Sequence, residues 1–282
     1  MKKVLTIYID GHYKEIPTED LKTLSPGFLN GLGVFETLLC EKSKIYFLEE
    51  HCRRFIYGSD RYILPRPKGI KEMKKIIADL LKSNDLQNAR VRLAVWRKSY
   101  DTHFAVVVIP RESFLESFYR EGFAACIYTK FLDRSPELAK IKSLDYGFYL
   151  DAYEFALLNH CHEAVLLSSS GTIVEGSRSN IFLVKKNKLS TPGLSSGCLA
   201  GVTRQAVLTA AKGAGVRTSA VELPLSALHG CEEAFLTNSL IGIMPLTYLG
   251  DHKIGSGKPG PVTLRVMQGY KKLRQVSSEF LV

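Results

Sequence analysis

Two hydrophobic periods alternate along this 282-residue chain. Residues 48–63 carry Phe55, Ile56, Tyr62 and Ile63 at helical spacing and stop before Pro65. Residues 69–81 place Ile70, Met73, Ile76, Ile77 and Leu80 on one helical stripe. Around these two predicted helices, residues 4–10, 13–16, 34–40, 45–47, 91–96 and 104–109 read as strands, with turns at Gly11-His12 and at 41–44. Strands and helices in this order, up to Pro110, predict a mixed α+β unit. Residues 111–119 are polar, follow a proline and predict a connector. Strand patterns resume at 123–129, 164–167, 172–174, 181–184, 189–191 and 234–237. Helices are predicted at 144–158, at 203–212 and from residue 262 onward. The expected organisation is an α/β (α+β) chain of two domains: a small one at 1–110, a connector at 111–120 and a larger one at 121–282.

Composition narrows the class without changing this picture. Hydrophobic residues at 45% and charged residues at 23% are those of a globular protein large enough to bury a substantial core. The net charge is 38 − 28 = +10. The basic residues are spread in pairs such as Lys185-Lys186 and Lys271-Lys272, so a small anionic substrate is expected and a nucleic-acid partner is not. Six cysteines stand far apart with no CxxC pair, which argues against a zinc site or a disulfide framework and for a cytoplasmic home. The N-terminal stretch turns polar by Asp10, too early for a signal segment, and no apolar run reaches membrane-spanning length.

Three stretches carry candidate chemistry. Ile141-Lys142-Ser143-Leu144-Asp145-Tyr146 sets a lysine at the mouth of a predicted helix. A lysine amine becomes a nucleophile when desolvation or a neighbouring cation favours its neutral form. Ile173-Val174-Glu175-Gly176-Ser177-Arg178-Ser179-Asn180 sets a carboxylate in a turn of small residues, where it needs a cationic partner to stay ionised. A cofactor that bonds a lysine covalently and presents a protonated ring nitrogen answers both. The third stretch, Gly193 through Gly201-Val202-Thr203-Arg204, leads into a helix start whose free N–H groups favour an anion. His160 and His162 flank Cys161 at a predicted helix end, where they complement the helix dipole; no metal site is expected.

Together these stretches resemble the class IV aminotransferases, the fold-type IV enzymes that depend on pyridoxal 5′-phosphate. The similar segments are Gly33-Val34-Phe35-Glu36-Thr37-Leu38, His51-Cys52-Arg53-Arg54-Phe55, the Lys142 and Glu175 stretches with Asn180-Ile181-Phe182, Leu199-Ala200-Gly201-Val202-Thr203-Arg204 and Glu233-Ala234-Phe235-Leu236-Thr237-Asn238. They occur in the family's order across nearly the whole chain. The resemblance implies a two-domain fold with the cofactor in the interdomain cleft, and a homodimer. It assigns the covalent lysine to Lys142, the pyridine-nitrogen carboxylate to Glu175 and the phosphate arginine to Arg54. It also assigns phosphate-binding positions to Val202 and Thr203, a further phosphate contact to Asn238 or Ser239, and a place beside the ring to Tyr146.

Within that family the segment Thr237-Asn238-Ser239-Leu240-Ile241-Gly242-Ile243-Met244-Pro245 resembles the 4-amino-4-deoxychorismate lyases. That resemblance implies elimination of pyruvate to leave 4-aminobenzoate, a folate precursor. Its dicarboxylate substrate suits the basic balance, with Arg92 and Arg97 as candidate substrate residues. Asn30 joins them because the loop before Val34 reads Asn30-Gly31-Leu32-Gly33 where the family has Tyr-Gly-Asp-Gly, on the substrate side. The alternative is a branched-chain or other amino-acid aminotransferase. A D-amino-acid aminotransferase fits less well, because the Arg-x-His pair of those enzymes is replaced by Tyr100-Asp101-Thr102-His103. A basic binding protein that keeps the fold without catalysis is the remote alternative.

Overall fold

The computed structural model describes residues 4–24, 32–65 and 69–281. Asn30, one of the candidate substrate residues, lies outside them. The chain divides into two compact units, which are described separately.

The first unit comprises Met1–Ser113, Ile141–Gly147 and Arg274–Val282. Its antiparallel sheet contains β1 (Val4–Ile9), β2 (His12–Pro17), β3 (Leu32–Glu41), β4 (Lys44–Tyr46), β5 (Ala89–Lys98), β6 (Asp101–Pro110) and a C-terminal strand, Ser278–Phe280. In space the order is C-terminal strand, β4, β3, β5, β6, β1, β2. The alternation of side chains along β3 and β5 sorts the residues between two faces. Val34, Leu38, Val91, Leu93 and Val95 pack with Phe55 of α1 (Leu48–Arg61) and with Met73, Ile77 and Leu80 of α2 (Ile70–Ser83). On the other face Phe35, Ala94, Trp96 and Ala105 pack with Leu144.

The second unit comprises Phe114–Lys140 and Phe148–Leu273. Its nine-stranded sheet is mixed. It contains β7 (Phe123–Phe131), β8 (Glu163–Leu167), β9 (Ile173–Gly176), β10 (Asn180–Lys185), β11 (Lys188–Pro192), β12 (Arg217–Val221), β13 (Glu233–Asn238), β14 (Gly242–Leu249) and β15 (His252–Lys253). Its main path runs β12-β11-β10-β13-β14-β7-β8-β9, with β15 paired to β14. The pairs β11–β12, β14–β7 and β7–β8 are parallel. The helices of this part of the chain are α3 (Glu116–Glu121), α4 (Pro136–Ala139), α5 (Gly147–Leu158), α6 (Val202–Gly213), α7 (Leu225–His229) and α8 (Pro261–Val276). Buried Phe182 and Phe235 stack across β10 and β13 with ring centroids 4.9 Å apart.

Two expectations shift. The segment predicted as a connector contains helix α3, and residues 141–147 belong to the first compact unit although the sequence groups them with the second. The cause of the latter is backbone pairing. The Phe35 N–H donates to the Lys142 carbonyl and the Leu144 N–H to the Gly33 carbonyl, both at 2.9 Å, so this stretch extends along β3. No helix among the described residues is long and apolar enough to cross a membrane.

Candidate active site

Lys142 does not sit on a helix. The helix predicted from residue 144 begins at Gly147, because residues 142–144 are drawn out against β3, with Val34 and Ser143 facing each other as an antiparallel bridge. Gly33 permits this approach: a β-carbon there would lie 2.5 Å from Leu144 Cδ1 and 2.6 Å from the Val95 carbonyl oxygen. The Lys142 Nζ lies 4.6 Å from the centre of the Phe35 ring and 5.7 Å from that of Tyr146. Those two rings meet edge to face at 5.3 Å. The amine is therefore held by a fixed backbone below and aromatic faces beside it, which attract its ammonium form. Tyr146 stands beside Lys142.

Arg54, on α1, engages the next residue of the same strand. Its Nε donates to Glu36 Oε1 at 2.6 Å and its Nη2 to Glu36 Oε2 at 2.9 Å. His51, one helical turn earlier, lies 2.7 Å from the same Oε2 through Nδ1. Glu36 is wholly buried. Burial pushes its carboxyl up, but attraction to Arg54 and His51 and hydrogen bonds from both overcome this and draw it down to about 2. A planar guanidinium gripped by two parallel bonds has its orientation set in advance, which suits a phosphate anchor.

The two candidate substrate arginines on β5 separate. Arg92 stands an even number of positions from Ala94 and so shares the face of Phe35, the ring under Lys142. It is 9% exposed, and its Nε has no hydrogen-bond partner among the described residues. Burial, then repulsion from Arg90, lowers its pKa to about 10 against an opposing pull from Tyr146, so it remains charged near neutrality. Arg97 stands an odd number of positions away and faces the other side, where its Nη2 donates to the Ile63 carbonyl at 2.7 Å.

Glu175 lies in the second unit, at the penultimate position of β9, and is 4% exposed. Its Oε2 accepts from the Leu199 N–H at 2.9 Å and from Asn180 Nδ2 at 3.3 Å. Its Oε1 accepts from the Tyr149 hydroxyl at 3.1 Å. Donors on both oxygens favour the ionised carboxylate. Buried Arg204 adds a cation: burial lowers its pKa, while Cys198 and then Glu175 work against that. The turn after Glu175 is pinned by buried Glu163, which accepts from the hydroxyls of Ser177 and Ser179.

Residues 199–203 link that carboxylate to the helix start. Leu199 donates to Glu175, and two residues later Gly201 caps α6, leaving the first N–H groups, those of Val202 and Thr203 among them, outside the helical bonding pattern. A β-carbon on Gly201 would collide with Asn180 Oδ1, so only glycine lets the helix start come this close to the Asn180–Glu175 pair. Thr203 is 3% exposed.

Asn238 ends β13 and Ser239 opens the turn after it. The Asn238 side chain holds that turn: Oδ1 accepts from the N–H groups of Leu240 and Ile241, both at 2.9 Å, and Nδ2 donates to the Arg178 carbonyl at 3.0 Å. Ser239 is partly buried beside it. Thr237 lies directly across the sheet from Asn180 and on its face, with its buried Oγ1 unpartnered among the described residues.

Sequence reasoning did not single out Glu36 and His51 as partners of Arg54, or Tyr149 as a partner of Glu175. A signal existed for Glu36: an acidic residue between Phe35 and Thr37 faces a helix packed on the sheet and must find a cation there. Tyr149 carried no such signal, because one tyrosine among Phe148, Leu150 and Tyr153 reads as ordinary helix surface. Among the described residues no group of three or more His, Cys, Asp or Glu could hold a metal ion.

Comparison with known proteins gives the family. Residues 33–249 match the model of the amino-transferase class IV family. The aminodeoxychorismate lyase of Bacillus subtilis is 28% identical, with 94% of each chain covered. The branched-chain-amino-acid aminotransferase of Escherichia coli is 24% identical, covering 95% of this chain and 93% of its own. A solved structure of the E. coli enzyme superposes with a TM-score of 0.86 at 25% identity, covering 96% of this chain and 95% of that one. The T.th. branched-chain amino acid aminotransferase, solved with pyridoxamine 5′-phosphate, shares the fold over the whole of both chains, with a TM-score of 0.87 and 23% identity. The family model covers well over half of the chain, from Gly33 in front of the Lys142 stretch to Leu249 at the end of β14, and the chain belongs to the class IV aminotransferase family.

Proposed function

We propose that this protein is a pyridoxal 5′-phosphate-dependent aminotransferase that moves an amino group between an amino acid and a 2-oxo acid. The observation that carries this reading is the near-full-length likeness to the E. coli branched-chain enzyme, in both sequence and fold. The elimination of pyruvate expected first from residues 237–245 takes second place, because most of the curated relatives and solved structures named above are aminotransferases.

The residues present fit this cofactor by their chemistry. Lys142 supplies the amine that binds it covalently, Glu175 a buried carboxylate for its ring nitrogen, and the start of α6 a cradle that admits no β-carbon at Gly201. When bound, pyridoxal phosphate supplies a ring that withdraws electrons from the substrate carbon attached to nitrogen. The chain does the rest. Lys142 takes and returns the proton at that carbon. Tyr146 and Phe35 orient its amine. Arg54, the N–H groups of Val202 and Thr203, and Ser239 hold the phosphate, with Asn238 shaping the turn that carries Ser239. Arg92 receives the carboxylate of a small anionic amino substrate.

A second reading, the aminodeoxychorismate lyase, is favoured by residues 237–245 and by the B. subtilis relative. In it Lys142 removes the proton of the ring carbon that bears the amino group, and pyruvate leaves. The separating experiment measures 2-oxoglutarate-dependent turnover of leucine and of D-alanine beside pyruvate release from aminodeoxychorismate. Transamination without pyruvate release supports the aminotransferase; pyruvate release without transamination overturns it in favour of the lyase. We also propose a homodimer, which light scattering would register as twice the chain mass of 31.5 kDa.

A further inference from the structure

Glu175 is held by more than its own turn, and the outermost element of that hold is a side-chain relay within the second unit. The Tyr149 hydroxyl lies 3.1 Å from Glu175 Oε1, and Arg134 Nη1 lies 3.3 Å from the Tyr149 oxygen. The chemistry of the three groups fixes the direction of both bonds. Arg134 only donates, an ionised carboxylate only accepts, and the phenol has a single hydrogen. Arg134 therefore donates to the phenol oxygen, and the phenol hydrogen points at Glu175. A donor that itself receives a charged hydrogen bond is polarised into a stronger donor. Burial, and then the adjacent Glu175 carboxylate, raise the Tyr149 pKa, so the hydroxyl keeps its hydrogen throughout the neutral range.

The two carboxylate oxygens are thus held by different parts of the chain. Oε2 is bound by Leu199 and Asn180, which belong to the turn and the approach to α6. Oε1 is bound by Tyr149, near the start of α5, which begins five residues after Lys142. Arg204 and Cys198 also couple to Glu175 through their charges.

We propose that Tyr149, backed by Arg134, is a positioning residue that fixes Glu175 Oε1 and sets how much negative charge that carboxylate presents to the cofactor ring nitrogen. The inference rests on the reading of Glu175 as the ring-nitrogen carboxylate. Removing the phenol hydroxyl leaves more charge on Oε1, which stabilises positive charge on the bound cofactor.

The test is a pH titration of the visible absorbance of bound pyridoxal phosphate, without substrate, in wild type, Tyr149→Phe, Glu175→Gln and the double variant. Tyr149→Phe moves the midpoint upward by about half a pH unit, while the dissociation constant for pyridoxal phosphate stays within about threefold. Glu175→Gln moves it, and adding Tyr149→Phe to Glu175→Gln produces less than half of the single-variant shift. An unmoved or lowered midpoint in Tyr149→Phe, with Glu175→Gln still shifting it, overturns the relay and leaves the role of Glu175 standing. So does a full upward shift from Tyr149→Phe on the Glu175→Gln background. An unmoved midpoint in Glu175→Gln overturns that role itself, and the relay with it. If Tyr149→Phe does not give folded holoenzyme, Arg134→Gln carries the same test: an upward shift supports the relay and no shift overturns it.

Discussion

The Arg54 guanidinium and the Glu36 carboxylate form two parallel hydrogen bonds, Nε to Oε1 at 2.6 Å and Nη2 to Oε2 at 2.9 Å, inside the helix-covered face of the first sheet. Glu36 lies directly after Phe35, whose ring lies under the Lys142 amine. One strand thus carries, at consecutive positions, the support of the lysine and the support of the arginine.

Replacing Glu36 by Gln removes the charge that fixes Arg54. Affinity for pyridoxal 5′-phosphate is expected to fall by about tenfold or more, which is about 1.4 kcal/mol, while affinity for pyridoxal, which lacks the phosphate, changes little. Equilibrium titration with both compounds measures this. An equal loss for both would assign Glu36 to folding alone.

The same substitution has a pH signature. The Glu36 carboxyl is lowered from 4.5 to about 2, which corresponds to about 3 kcal/mol of stability. Because the folded-state value is depressed, this contribution is complete above about 4.5 and is lost as the pH falls toward about 2. The gap in unfolding free energy between wild type and Glu36→Gln should therefore stay constant above about 5 and close on acidification. Denaturant melts across that range give the gap directly, and a constant gap down to the acid limit would contradict the buried ion pair.

Arg92 and Arg97 were equivalent in the sequence and are not in the structure. Arg92→Met should raise the KM for an anionic substrate by about tenfold or more, through loss of a charged hydrogen bond. Arg97→Met should leave KM within about twofold, because that side chain caps the end of α1 at the Ile63 carbonyl. Steady-state kinetics on the two variants decides between them, and the reverse ranking would remove Arg92 from the substrate site.

Glu175→Gln should retain bound cofactor and lose most turnover, since a neutral amide does not stabilise a protonated ring nitrogen. Cofactor content and kcat measured on one preparation separate the two effects. Near-wild-type kcat would refute the role given to this carboxylate.

The sequence was most informative where side chains are sorted by burial. The alternation at 91–96 and 104–109 and the stripes of α1 and α2 appear as strands and helices close to their predicted bounds, because each has one face in a core. Arg217–Val221 and Ser278–Phe280 gave no strand signal. They pair by backbone at the ends of their sheets, and their side chains are exposed or half-buried, none of them in a core. Residues 144–146 read as the start of a helix because Leu144 and Phe148 are four apart; bonds from Phe35 and to Gly33, more than a hundred residues away, override that spacing. Motif order singled out Lys142, Arg54 and Glu175 as candidates. Their partners Glu36, His51 and Tyr149 depend on contacts between elements, which a linear pattern does not record.

The roles proposed for all of these residues depend on Lys142 being the covalent cofactor lysine. Reduction of the pyridoxal phosphate-loaded protein with borohydride, followed by peptide mass spectrometry, tests it most directly. The predicted result is a pyridoxyl-phosphate adduct on the peptide containing Lys142, lost together with the visible absorbance in Lys142→Ala. An adduct on a different lysine, or a protein that takes up no cofactor, would contradict the account.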